Sequence, residues 1–478
     1  MSGLRKRPFW PHLLTVAGAA LMAACAGPVD RPAAAQKALQ DPSVAPQRFG
    51  KTDAPINGRS TADAPDLAWD RFFTDTSLQG LIRLALEHNR DLRLAALNVE
   101  QVRAQALLRQ ADLWPSINAA LGGVRLPTNT GSVSTTVTGG LTTAAYELDL
   151  FGRVRQTAGA AQAQLEASES LRRAARSSLI AAVATTYVNV QADAALLQLT
   201  RETVRTREEG LQMAQSRARV GASSALEVAQ AEALLQSARA ALAQVQRQKA
   251  VDESSLTLLV GTPIDTAGLP AAQAGPLMAL MAPGLALRAD LPSTVLSRRP
   301  DLEAAESQLT AAQANLEAAR RAYFPRITLT ASLGQASKEL SSLFASGTWV
   351  WGVAPQLLMP IFDAGRTRAG VSQATAAQAA ALAQYEKAIQ VAFKEVSDAL
   401  ASRSTLDQQW AAVRAQVQAE EERTRLAETR WRLGASAYLD VLDAQRSLYA
   451  AQTALIQVQA LRAQNQATLY KVLGGGSR

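Results

Sequence analysis

Two short stretches that read as β-hairpins are embedded in helices far too long for a globular domain, and the whole arrangement is written twice along the chain. Phe151-Gly152-Arg153-Val154-Arg155 returns as Ala364-Gly365-Arg366-Thr367-Arg368, and Arg219-Val220-Gly221-Ala222 returns as Arg432-Leu433-Gly434-Ala435, both displaced by 213 positions. Trp114-Pro115 is echoed by Phe324-Pro325 at 210, so three residues differ within the hairpins. Each half therefore reads helix, hairpin, long helix, glycine-containing break, helix. Three copies of such a duplicated subunit would form a tube with six-fold pseudo-symmetry.

The helical signal is compositional. Segments 153–217, 223–260, 301–322, 366–430 and 437–472 are dense in Ala, Gln, Leu, Glu and Arg, all good helix formers. Globular helices average about 12 residues, whereas 366–430 unbroken would extend roughly 100 Å at 1.5 Å per residue. Small stripes such as Ala374, Ala377, Ala381 and Ala388 permit close helix packing but give little bulk for a globular core. Ordered structure is expected to begin near Leu67-Ala68-Trp69-Asp70 and to continue as one helix from about Ser77 to Asp112.

The islands run from Trp114 to Leu150 and from Tyr323 to Phe362. In the second, Ile327, Leu329, Ala331 and Leu333 alternate with Thr328, Thr330 and Ser332, the period-two pattern of a strand. Trp349, Trp351 and Val353 share one face of the return segment, and Pro355 and Leu357 continue its register. Transmembrane strands need only about 9–11 residues, apolar toward lipid and polar inward. Trp114, Tyr323, Phe324, Trp349 and Trp351 stand where interfacial aromatics would sit. Four strands cannot close a useful barrel and an open edge is forbidden in hydrocarbon, so the architecture requires oligomerisation; three copies would supply twelve strands.

The first residues argue for export. Arg5, Lys6 and Arg7 precede an apolar, Ala-rich run from Leu13 to Ala24, too short to span a bilayer as a stable helix but suited to a signal peptide. The sole cysteine follows at once, in Leu21-Met22-Ala23-Ala24-Cys25-Ala26. It looks like a lipoprotein processing site, with Cys25 as the lipidated mature N-terminus. One cysteine excludes an intrachain disulfide, and two histidines, His12 and His88, cannot build a metal cluster. Three of the eight net positive charges belong to the leader, and the other basic residues alternate with glutamates. That is a solvated helical surface, with no nucleic-acid footprint. No G-x-S-x-G elbow, phosphate loop or metal motif occurs, so neither catalysis nor a cofactor is expected.

Several motifs resemble signatures of the TolC-like outer-membrane efflux proteins. They are Tyr146-Glu147-Leu148-Asp149-Leu150-Phe151-Gly152-Arg153, Arg298-Arg299-Pro300-Asp301-Leu302, Phe324-Pro325, Pro360-Ile361-Phe362-Asp363-Ala364-Gly365-Arg366, and Leu433-Gly434 followed by Tyr438 through Leu448. Together they span nearly the whole mature chain, and they look most like the NodT/OprM-like lipoprotein branch that serves RND multidrug pumps. The resemblance implies a mixed fold, a homotrimer whose 12-stranded transmembrane β-barrel continues into a 12-helix periplasmic tunnel. It also implies docking to a periplasmic membrane-fusion adaptor and an inner-membrane RND pump, with contact to outer-membrane lipid. On this reading the chain divides into a signal peptide (1–24), a lipid-anchored extended segment (25–66), periplasmic helices (67–112), a first transmembrane hairpin (113–150), tunnel helices with an equatorial region (151–322), a second hairpin (323–362), and tunnel helices with a C-terminal segment (363–478).

Asp440 and Asp443 are three apart on a predicted helix and can share a side. In the resembling family, acidic residues at the matching positions line the periplasmic constriction. Six carboxylates around one axis would repel one another and raise some of their pKa values. The first half has Glu227 and Gln230 at the equivalent positions, so the opening pair is expected in the second half. Gly221 and Gly434 fit the helix turns and, with the flanking Arg219 and Arg432, are candidate adaptor contacts. Ser436 stands where such channels often carry a charge. Two other readings fit parts of the pattern: the duct of a type I protein secretion system, and a pore-less periplasmic coiled-coil lipoprotein.

Overall fold

The computed structural model describes residues 33–41, 44, 68–127, 131–265 and 293–475. The expected leader and Cys25 lie outside these residues. The helices are α1 (Ala33–Gln40), α2 (Trp69–Phe72), α3 (Thr76–His88), α4 (Arg90–Ala111), α5 (Arg153–Arg219), α6 (Ala225–Val260), α7 (Pro300–Arg321), α8 (Arg366–Arg432) and α9 (Tyr438–Val472). The strands are β1 (Asn118–Pro127), β2 (Val133–Glu147), β3 (Arg326–Ser337) and β4 (Trp349–Leu358). The duplication is explicit in the helix lengths. Helices α5 and α8 are both 67 residues long, and α4 and α7 are both 22.

Two expectations need correction. The single helix from Ser77 to Asp112 is broken at Asn89, which caps the end of α3 and the start of α4 with extended backbone (ψ 130°). Its Oδ1 accepts the Leu92 N–H at 2.8 Å while its Nδ2 donates to the Leu259 carbonyl at 2.8 Å. A polar side chain that satisfies groups on both sides of a bend stabilises the break over a continuous helix. Within the stretch 25–66, expected to be extended, Ala33–Gln40 is helical. Its Ala35 and Ala38 are buried with Leu302, Tyr385 and Ile389.

The four strands form one antiparallel sheet in the order β1-β2-β3-β4. Register pairs Leu333 with both Leu141 and Trp351, Ala331 with Val353, and Ile327 with Leu357. These residues share one face, while Thr328, Thr330 and Ser332 project from the other beside Gln356, Ala354 and Gly352. Gly140 faces Gly334, and a Cβ on either would lie within 2.5 Å of the opposing backbone. Only paired glycines let β2 and β3 approach so closely. A bulge between Thr143 and Tyr146 holds Ala145 at φ 50°, with its N–H donating to Thr330 Oγ1.

The helices pack side by side in thin seams. The largest core gathers Phe72, Phe73, Leu78, Ile82, Ile180, Val183, Tyr187, Leu256 and Tyr470 part-way along the long helices. A second joins α1 and α7 to α8 and α9 through Leu296, Leu309, Tyr385, Ile389 and Leu469. Gly261 ends α6 at φ +79°, and a Cβ there would meet the His88 carbonyl oxygen at 2.5 Å. Arg299, 5% exposed in its side chain, joins Asp301 at 2.7 Å and Glu395 at 2.6 Å. Its Nη1 donates to the Val472 carbonyl, which ties the start of α7 to α8 and the end of α9.

Gly261→Ala should cost at least about 2 kcal/mol, because left-handed backbone and a steric clash add together. Gly434→Ala, at φ +72° in open space, should cost only about 1 kcal/mol; chemical denaturation of the two variants compares them. A pH effect follows from Asp193, which is 7% exposed with its Oδ2 lacking a hydrogen-bond partner. Burial, with Asp252 beside it, pushes this carboxyl up to about 7. The folded chain then holds a proton that the unfolded chain has released, so stability should fall as pH rises from about 4 to 7. Asp193→Asn should flatten that slope and raise Tm at pH 8.

Candidate functional site

The passage from sheet to helix is built alike in both halves. Gly152 and Gly365 precede α5 and α8 in the left-handed region, at φ 79° and 85°, where glycine bears no Cβ cost. An aspartate just upstream then satisfies the first turn. Asp149 Oδ2 accepts the Arg155 N–H at 2.8 Å, and Asp363 Oδ2 accepts the Thr367 N–H at 2.8 Å. Arg153 forks onto Glu147, Nε to Oε1 at 3.0 Å and Nη2 to Oε2 at 2.6 Å, clamping the end of β2 to the start of α5. The strand–Asp–Gly–Arg–helix signature is therefore a rigid elbow between wall and rod.

Around this sheet the five aromatics fall at two levels. Trp114, Tyr323 and Phe324 lie where helices meet strands, and Phe324 stacks on Phe151 with ring centroids 4.9 Å apart. Trp349, paired with Gln335, and Trp351 lie toward the β3–β4 loop. All five are at least 49% exposed.

At the far end of the long helices, Gly221 and Gly434 turn the chain in left-handed backbone, at φ 75° and 72°. Arg219 donates to Ser216 Oγ at 3.0 Å, and Arg432 reaches Glu428 at 3.3 Å. Asp440 stands in the first turn of α9. Asp443 accepts from Arg423 at 2.6 Å and from Arg446 at 2.5 Å. Arg423, foremost, holds the Asp443 carboxyl below its usual range. Within one chain the local effect on Asp443 is thus opposite in sign to the mutual repulsion expected of a carboxylate ring.

Sequence reasoning missed the contacts that join the two turns. Tyr438 is 9% exposed and packs with Val441, Leu442, Leu234 and Trp431. Its ring lies 4.9 Å from that of Trp431, and Arg217 of α5 lies 5.2 Å over Trp431. A Cβ at Gly210 would come within 2.6 Å of the Tyr438 hydroxyl. The glycine inside α5 is therefore a seat for Tyr438, and an isolated glycine amid helix formers was the available signal. Tyr438→Ala should raise hydrogen exchange across residues 425–445 by an order of magnitude or more, because truncating a buried aromatic costs about 3 kcal/mol. Exchange in the core around Tyr187 should not change.

The comparisons with known proteins follow the same duplicated plan. A family profile described as "Outer membrane efflux protein" matches residues 81–262 and 291–475, one stretch per half. The toluene efflux pump outer membrane protein TtgC of Pseudomonas putida is 44% identical over 421 residues, covering 86% of each chain. The open-state crystal structure of the Neisseria gonorrhoeae MtrE outer membrane channel superposes with a TM-score of 0.81 at 39% identity, covering 90% of this chain and 96% of that one. A CusC structure gives 0.82 at 34% identity, covering 95% and 100%. With the profile matched in both halves and the fold shared nearly end to end, the chain belongs to the outer membrane efflux protein family and has the protomer fold of a TolC-like outer-membrane channel.

Proposed function

We propose that this protein is the passive, gated outer-membrane duct of a tripartite efflux system, working as a homotrimer that receives small molecules from an inner-membrane RND-type pump through a periplasmic adaptor. The observation that carries this reading is the paired construction of α5 and α8, each 67 residues long and each leaving a strand hairpin through a rigid elbow. Such a subunit can extend a membrane wall directly into a tube about 100 Å long. The efflux-pump names of its relatives, toluene among them, support small-molecule export over protein secretion.

The aromatic levels support the membrane assignment. From Phe324 to Gln335, opposite Trp349, the strand rises about 36 Å. At a tilt of about 40° that is a height near 28 Å, close to the apolar band of about 25 Å between aromatic girdles. Trp114, Tyr323 and Phe324 would mark the periplasmic interface, with Trp349 and Trp351 at the outer one. Cys25 would carry the lipid after removal of residues 1–24, adding an anchor to the barrel. That assignment would place the chain on the lipoprotein branch of the family.

The gate on this reading is the turn between α8 and α9. Asp440 and Asp443 would ring the constriction, with Arg423 and Arg446 balancing Asp443. Gly221, Gly434, Arg219 and Arg432 would present the turns to the adaptor. Single-channel conductance in planar bilayers tests the assignment. Wild type should conduct weakly, and Asp440→Ala/Asp443→Ala should raise conductance several-fold. An unchanged pore would remove the gate from these residues, and inserted trimers without conductance would remove the duct itself.

A further inference from the structure

The internal duplication supplies a template for a contact that one chain cannot make. Within the chain, α5 runs along α7, and Arg173 Nη2 on α5 donates to Glu303 Oε2 on α7 at 2.6 Å. One face of α5 is taken by α4, through Leu165 packed against Val99 and Ala106 and through Glu169 paired with Arg103. A separate buried stripe runs through Ala160, Ala163, Ala167 and Ser170, and Ser170 Oγ accepts from the same Arg173 Nη2 that reaches Glu303 on α7. On α7 the matching stripe is Ala304, Ala311 and Ala318, at 1, 3 and 8% exposure. Its seven-residue spacing keeps those side chains on one helix face.

Moving α5 forward by 213 positions gives α8, and moving α7 back by 210 gives α4. The equivalent stripes are Gln373, Ala376, Ala380 and Ala383 on α8, with Leu94, Gln101 and Leu108 on α4. Every one of these residues is exposed, Leu94 to 64% and Leu108 to 68%. The ion pair also has its counterpart. Arg173 maps to Glu386 and Glu303 maps to Arg93, so both charges reverse and complementarity survives. Neither Arg93 nor Glu386 has a side-chain ion pair or hydrogen bond with another described residue. The elbow agrees: a Cβ on Gly152 would strike Arg321 of α7, whereas a Cβ on Gly365 would meet nothing within 4 Å.

We infer that α8 packs along α4 of a second copy of this chain as α5 packs along α7 within it, with Glu386 paired to the partner subunit's Arg93. Small residues on α8 receive Leu94 and Leu108 of the partner, and the reversed ion pair fixes the register. A heterologous seam that repeats the in-chain rotation adds half-units around one axis, and the trimer of the duct reading closes that ring with six half-units. The inference rests on the trimeric duct reading and adds to it the helices, the register and the partner residues of the subunit seam. Because the polarity of the pair is opposite in the two seams, an α8 helix set along the α5-facing side of α7 would bring Glu386 to Glu303, which disfavours misassembly.

Thiol cross-linking of purified full-length protein tests the seam. Arg93→Cys/Glu386→Cys treated with a short bis-maleimide should give covalent dimers and trimers on a denaturing gel. Either single substitution should give chains of monomer mass, and Arg173→Cys/Glu303→Cys should link within one chain. In parallel, Arg93→Glu should lower the temperature at which the trimer dissociates, and adding Glu386→Arg should restore it. Detergent-stable trimers that yield no cross-link from the Arg93/Glu386 pair would overturn the seam and leave the duct standing. Folded monomers in every variant and in wild type would overturn both.

Discussion

Strands β1 and β4 each expose one row of peptide N–H and C=O groups with no ladder partner among the described residues, since the sheet ends at both. In water such edges are tolerable. In hydrocarbon each unsatisfied group costs several kcal/mol, so a sheet of this composition is stable in a bilayer only when neighbouring copies complete it. The rest of the molecule follows from that requirement. Helices leaving the sheet must continue a closed wall, and their lateral packing has to keep the angle at which the strands join.

The helices meet this demand with small side chains. Seams of Ala and Ser let helix axes approach closely over long distances, and the two largest apolar clusters lie in the belt around Tyr187 and Tyr385. Adhesion is therefore spread thinly along about 100 Å of rod, with local anchors where geometry changes. Asn89 and Gly261 anchor the bend between α3 and α4, Arg299 the start of α7, Asp149 and Asp363 the elbows, and Tyr438 on Gly210 the far turn. Each anchor satisfies backbone groups or fills a glycine-sized space, so each depends on a particular residue more than the seams do.

The two halves have diverged where their tasks differ. The first-half turn holds Ser223 and Glu227 in a hydrogen bond of their own, whereas its counterpart sets Asp443 between Arg423 and Arg446. Asp193, with Asp252 beside it, has Leu406 and Asn465 at the equivalent second-half positions, so the pH-sensitive acid pair is not repeated there. A duplicated scaffold thus carries two kinds of turn and two kinds of helix joint without altering its outline.

The duplication, the bounds of α5 to α9 to within about two residues, the strand alternation of β3 and β4 and the glycine turns were all legible in the residues. Each follows from local periodicity or propensity, which act over a few positions. Other features depended on distant parts of the chain meeting. The bend at Asn89 needs Leu259 from 170 residues away, and a continuous helical pattern hides it. The Gly140–Gly334 approach, the Tyr438 seat on Gly210 and the Arg217–Trp431 contact likewise join segments that local patterning cannot relate. Asp440 and Asp443 could be placed on one helix from their spacing. That Asp443 is flanked by Arg423 of a different helix, and so held below its usual pKa within one chain, was decided only when α8 and α9 folded side by side.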